Sequence, residues 1–200
     1  MEREYMERLK KFYKIVMPAF KFISKRMRKG YQSGFPIIEK KVNLSKKTTV
    51  LDVGTGTGGL ASLFLDYTSH ITGIDLSPEM IKEAKKKFGD QINFIEMPAH
   101  ELERFSNNQF NLVTAAYSLH DMDNQYRLKV LQEMHRIAED RVIFFEFIKN
   151  NSLIIRAVEA LEGSFYHDFV NDIDKQLNQV FPTYEIIKLN KRMGLYICEI

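Results

Sequence analysis

The chain has 200 residues, 44% hydrophobic and 12% aromatic, the size of one domain and enough to bury a core. Its single cysteine, Cys198, excludes an internal disulfide and a thiol-built zinc site and suits a reducing compartment. The net charge of +3 is uneven, with 14 Lys and Arg against 4 Asp and Glu in residues 1 to 48, and 15 against 22 in the rest.

Along the chain, Tyr5, Leu9, Phe12 and Val16 form a helical stripe that Pro18 breaks or kinks. From residue 48 short β-branched runs alternate with helical ones. TTVLDV (48 to 53) reads as a buried strand, and GGLASLFLDY as a helix with Leu60, Leu63, Phe64 and Tyr67 on one face. HITGID (70 to 75) is a second strand. Ser77 then stands as N-cap with Pro78 at the first helical position, ahead of Met80, Ile81, Ala84 and Phe88 at helical spacing. QINFIE, FNLVTAAY (110 to 117) and RVIFFEF (141 to 147) are the third, fourth and fifth strands. A helix starting near Asp123 separates the last two, with Val130, Leu131, Met134 and Ile137 as its stripe. This βα order predicts an α/β protein, a doubly wound, mostly parallel sheet with helices on both faces. Residues 151 to 180 read as two helical stretches parted near Gly163, followed by an antiparallel pair, YEIIKLN and GLYICEI.

The strand-to-helix turn VLDVGTGTGG is a ligand-binding turn. Gly54, Gly56 and Gly59 fit G-x-G-x-x-G, whereas Gly54, Gly56 and Gly58 fit the tighter G-x-G-x-G, so the glycines alone do not choose a ligand. In either spacing they let the backbone turn sharply beside the positive end of a helix dipole. A P-loop is excluded, because the Gly-Lys-Ser/Thr ending is missing. Asp52 carries more information. An acidic side chain two residues before the first glycine opposes a pyrophosphate but suits S-adenosylmethionine, whose sulfonium and ammonium are cationic. Asp75, 21 positions after Gly54, is placed to accept hydrogen bonds from ribose hydroxyls in either class of site.

Taken together, "VLDVGTGTGGLA", "ITGIDLSPEMI", "INFIEMPAHEL", "FNLVTAAYSLHDM" and "RVIFFEF" resemble, in order over about residues 48 to 147, the class I S-adenosylmethionine-dependent methyltransferases, in their quinone and metabolite branch. The resemblance implies a Rossmann-like seven-stranded sheet whose last strand is antiparallel. It also implies one domain, with residues 1 to 47 as an N-terminal helical lid and 48 to 200 as the core with a helical insertion at about 151 to 180. Asp52, Gly54, Thr55, Gly56 and Gly58 would hold the methionine part of S-adenosyl-L-methionine, and Asp75 the ribose. Leu76, Ala99 and His100 would flank adenine, and Ala115 to Tyr117 would lie beneath the methyl-bearing end. Two positions depart from the family pattern: Pro98 replaces an acidic residue before Ala99, and Asn111 an aspartate after Phe110.

Methyl transfer from a sulfonium is an in-line displacement, so positioning and exclusion of water matter most, and no metal is expected. His120, after the fourth strand in "SLHDM", reads either as a general base oriented by Asp121 or Asp123, or as a hydrogen-bonded loop residue. Tyr166 and His167, in the insertion, read as substrate contacts or as helix packing. Tyr13 and Tyr31, in the N-terminal segment, read as acceptor contacts or as a packed stripe. The function expected is methylation of a small-molecule acceptor. The alternatives are a nucleic-acid methyltransferase using "KFISKRMRKGY" on phosphates, and a role at a membrane surface through the basic N-terminal segment. An NAD-dependent oxidoreductase stands against the charge of Asp52. No leader or membrane span is visible, so a cytoplasmic protein is expected.

Overall fold

The computed structural model of the chain describes residues 27–149 and 166–200. It separates into two compact units, Met1–Glu101 and Leu102–Ile200. The stripe from Tyr5 to Val16, Tyr13 with it, and the first helical stretch expected after residue 150 lie outside the described residues.

The first unit opens with helix α1 over residues 27–41, which buries Tyr31, Phe35 and Ile38, at spacings of four and three that line one helical face. Strand β1 (Val50–Val53) pairs in parallel with β2 (Ile71–Asp75), and β2 with β3 (Asn93–Glu96). Neighbouring residues of a strand face opposite sides, and all four residues of β1 are buried, so both faces of this strand are covered. Helix α2 (Pro78–Phe88) packs on β2 and β3 and begins as its sequence dictates: Ser77 Oγ accepts the Met80 N–H at 3.3 Å and Pro78 occupies the first turn.

The helix expected after the glycine turn is replaced by a 3-10 run, Ala61–Phe64, flanked by turns. Leu63 N–H donates to the Leu60 carbonyl and Tyr67 N–H to Phe64, both three residues back, while Ser62 Oγ donates to the Gly59 carbonyl. A hydroxyl that occupies a first-turn carbonyl competes with regular α-helical bonding. Leu60 and Phe64 are buried as the apolar stripe requires, but Leu63 and Tyr67 are only half-buried. Helix α1 docks here, with the Phe35 ring 5.0 Å from that of Phe64 and the Tyr67 hydroxyl donating to Glu39.

In the second unit, β4 (Phe110–Ala116) runs parallel to β5 (Ala138–Phe147). Helix α3 (Asn124–Ile137) between them is capped by Asp123, whose Oδ1 accepts the N–H groups of Gln125 and Tyr126 at 2.9 Å each. Strand β5 starts three residues earlier than its apolar run predicts, directly where α3 stops. Its first residues face a register shift in β4, where Asn111 Nδ2 donates to Glu139 at 2.6 Å. Asn111 is thus a strand-to-strand link. Helix α4 (Tyr166–Val180) packs on α3, and β6 (Tyr184–Lys188) and β7 (Met193–Glu199) complete the unit. Strand β7 is antiparallel to both β5 and β6, so it alone opposes the rest. The strand order of the seven-stranded sheet is β3-β2-β1-β4-β5-β7-β6, the Rossmann-like, mostly parallel arrangement the motif order predicts.

Candidate functional site

Two groups of residues stand at the carboxyl ends of the strands, one in each unit. In the first, the chain leaves β1 through three glycines with positive φ, Gly54 (68°), Gly56 (54°) and Gly58 (77°). This settles the spacing in favour of G-x-G-x-G. Gly59 has ordinary backbone angles, and a Cβ there would lie 3.6 Å from the Tyr31 ring. A Cβ on Gly58 would meet Phe94 at 2.9 Å and Phe88 at 3.0 Å, so this glycine lets the turn close on the core. Gly56 differs: a Cβ there would meet nothing within 4 Å among the described residues. Its left-handed backbone therefore borders open space, where a ligand can approach the chain closely.

Two carboxylates brace this turn. Asp52, on β1, is buried, and its Oδ2 accepts the Thr55 hydroxyl at 2.7 Å. Asp75 ends β2; its Oδ2 accepts the Gly56 N–H and its Oδ1 the Ser77 N–H, each at 2.8 Å. Burial pushes the Asp75 carboxyl up from the ordinary 3.8 to about 6, against the two backbone N–H groups that pull it down. Leu76 follows half-buried, and the Asp75 carbonyl accepts the Met97 N–H at 2.9 Å ahead of Ala99 and the exposed His100. The helix dipole expected at the turn is not there, because only a four-residue 3-10 run follows. The turn thus combines two buried carboxylates, each hydrogen-bonded within it, with the left-handed Gly56. That set fits S-adenosylmethionine, with cationic groups for Asp52, ribose hydroxyls for Asp75 and close approach at Gly56.

In the second unit, Ala115 is buried in β4 and Tyr117 follows the strand with φ 51°. A bulky residue in the left-handed region costs about 1–2 kcal/mol and is held by its surroundings; here the Tyr117 N–H donates to Phe145 at 2.9 Å. The Tyr117 ring centroid is 4.8 Å from that of Phe147 and 6.2 Å from His120, and Phe147 is 5.1 Å from Tyr166. Burial, and secondarily the charge of Glu146, hold the Tyr117 phenol well above its ordinary range. Tyr117, His120 and Tyr166 are thus brought together, whereas His167 is exposed on α4.

His120 sits in a short 3-10 turn, Leu119–Asp121, with Nδ1 at 3.0 and 3.1 Å from the two carboxylate oxygens of Glu146 and Nε2 3.4 Å from Asp121. Asp121 stands beside it as the sequence suggests; Asp123 instead caps α3. Glu146 is absent from the residues the sequence singles out. Its only signal is a lone carboxylate in the apolar run VIFFEF. Arg127 is a second omission: wholly buried, it donates to the carbonyls of Met122 at 2.8 Å and Leu119 at 3.5 Å, bracketing the His120 turn, and to Gln176 at 2.7 Å on α4. Among the described residues no group of three or more His, Cys, Asp and Glu side chains is placed to hold a metal ion.

The model of a methyltransferase domain family matches residues 50–141. Over these 92 of its 200 residues the chain is similar to methyltransferase domains. The chain is 27% identical over 152 residues to the ubiquinone/menaquinone biosynthesis C-methyltransferase UbiE of Geotalea daltonii, a match covering 70% of this chain and 63% of that protein. Over 91 residues identity reaches 40% with the UbiE protein of Desulfotalea psychrophila, covering 44% of this chain and 36% of the other. This chain therefore matches less than two thirds of the length of these relatives. In fold, the chain is similar to magnesium protoporphyrin IX methyltransferase from Synechocystis PCC 6803, solved with S-adenosylhomocysteine: TM-score 0.64, 17% identity, 86% of this chain and 83% of that one.

Proposed function

We propose that the protein transfers a methyl group from S-adenosylmethionine to a small-molecule acceptor, with His120 as the base that takes the acceptor's proton. The observation that carries this reading is the glycine turn, where the left-handed Gly56 stands between two buried carboxylates, Asp52 and Asp75, whose negative charge suits a cationic ligand better than a diphosphate. Relatives that methylate a ubiquinone or menaquinone precursor, by their names, support an acceptor of quinone type. The rings of Tyr117, Phe147 and Tyr166 support the same class, since such rings favour flat apolar partners.

When bound, S-adenosylmethionine supplies an electrophilic methyl group on a sulfonium. The residues of the chain do the rest. Asp52 faces positive charge, and Asp75 and Gly56 fix the nucleoside. His120 Nε2 takes a proton from the acceptor atom, so that its electron pair is free for the methyl carbon as the carbon–sulfur pair returns to sulfur. The imidazolium so formed lies between the carboxylates of Glu146 and Asp121.

The buried Cys198 and the lack, among the described residues, of a helix long and apolar enough to cross a membrane support a cytoplasmic location. Calorimetry of the full chain with S-adenosylmethionine and S-adenosylhomocysteine tests the proposal. Micromolar binding of both is expected, and folded protein that binds neither overturns it.

A further inference from the structure

We propose that Glu146 is the positioning residue of this site: its carboxylate takes the Nδ1 proton of His120 and so leaves Nε2 as the nitrogen that can accept one. The inference rests on the reading of His120 as base and names the group that makes it one. A neutral imidazole carries a single N–H, and an ionised carboxylate only accepts. With Nδ1 at 3.0 and 3.1 Å from both oxygens of the fully buried Glu146, and Nε2 at the longer 3.4 Å from one oxygen of the partly exposed Asp121, the proton belongs on Nδ1; the other tautomer would press a nitrogen lone pair against two buried anionic oxygens.

The carboxylate is itself held in place. Glu146 is fully buried in β5, where Oε1 accepts the Leu119 N–H at 2.9 Å and the His120 N–H at 3.3 Å, and Oε2 accepts the Phe147 N–H at 3.2 Å. One oxygen thus grips both the backbone and the ring of the residue it orients. Arg127 closes the same turn from the other side through the Leu119 and Met122 carbonyls. Acceptance of the backbone N–H groups accounts for a polar side chain here, and the approach of Nδ1 to both oxygens adds a contact to the ring that those bonds do not require.

The test reads ring-proton positions directly. Nitrogen-15 NMR of the histidine rings in the full chain, at a pH where His120 is neutral, is expected to show Nδ1 protonated and Nε2 bare, with and without S-adenosylhomocysteine. In Glu146→Gln the side-chain amide can donate to Nδ1 while its oxygen keeps the Leu119 and His120 N–H groups, at the cost of the longer Phe147 N–H bond, so the tautomer should invert. Turnover should then fall by on the order of 10²–10⁴-fold with KM little changed, while S-adenosylhomocysteine affinity and melting temperature stay near wild type. A wild-type ring protonated on Nε2, or a folded Glu146→Gln protein active within threefold, overturns the proposal. If Glu146→Gln does not fold, the wild-type spectrum decides alone. Absence of S-adenosylhomocysteine binding would overturn the methyltransferase reading and leave the ring measurement intact.

Discussion

Asp75 and Gly56 are joined directly: the carboxylate ending β2 accepts the backbone N–H in the middle of the glycine turn at 2.8 Å. One buried acid therefore sets the turn's conformation and, in the proposed function, accepts from the ribose as well.

That bond predicts a pH dependence. In the folded chain the Asp75 carboxyl titrates near 6, above its ordinary 3.8, so the ligand-free protein holds this proton more tightly than the unfolded chain does. Its contribution to stability is fully present below pH 3.8 and is lost as pH rises through 6, about 3 kcal/mol in all. Ribose hydroxyls need the ionised acceptor, so ligand affinity moves the opposite way. Titration of S-adenosylhomocysteine between pH 5 and 8 should show affinity rising about tenfold per unit up to pH 6 and levelling above it, a dependence that Asp75→Asn removes.

The glycines of the turn should separate by role. Gly58→Ala drives a methyl into the Phe88 and Phe94 rings at a left-handed backbone, and should cost roughly 2–4 kcal/mol in urea unfolding. Gly56→Ala meets no atom and should cost only about 1–2 kcal/mol, yet abolish detectable S-adenosylhomocysteine binding because the methyl occupies the ligand's approach. Gly59→Ala should change neither by more than about 0.5 kcal/mol.

Asp52→Asn should weaken S-adenosylmethionine by about tenfold to a hundredfold, since a buried carboxylate facing a cation is lost. Methylthioadenosine, which has no ammonium, should lose much less. Equal losses for both ligands in calorimetry would assign Asp52 to the turn through Thr55 alone.

Arg127→Met should destabilise by roughly 3–5 kcal/mol, since it leaves the Met122 carbonyl and the Gln176 side chain buried without their donor. Binding of S-adenosylhomocysteine at low temperature should survive. Chemical denaturation and calorimetry on one preparation check both.

Much of this protein is local, and its sequence by itself determined that part. Apolar and β-branched runs bounded by turn residues placed all seven strands, most plainly β1, where burial on both faces demands continuous hydrophobic character. Ser77-Pro78 and Asp123 marked their helix starts, because a cap is made by a side chain and the N–H two or three residues away. The glycines and the two carboxylates around them were readable for the same reason, backbone freedom and charge being properties of single residues.

What only the tertiary structure decided spans long separations. Gly58, not Gly59, is the constrained glycine because Phe88 and Phe94 fold back on it, and the run after the turn is 3-10 although its apolar spacing suits an α-helix. Glu146 lies 26 residues beyond His120, and Gln176 lies 49 beyond Arg127. Such pairs come from strand register and helix docking, which no short window of sequence encodes. A carboxylate in an apolar strand shows only that something polar must meet it; the packed fold alone determines that the partner is the ring of a histidine.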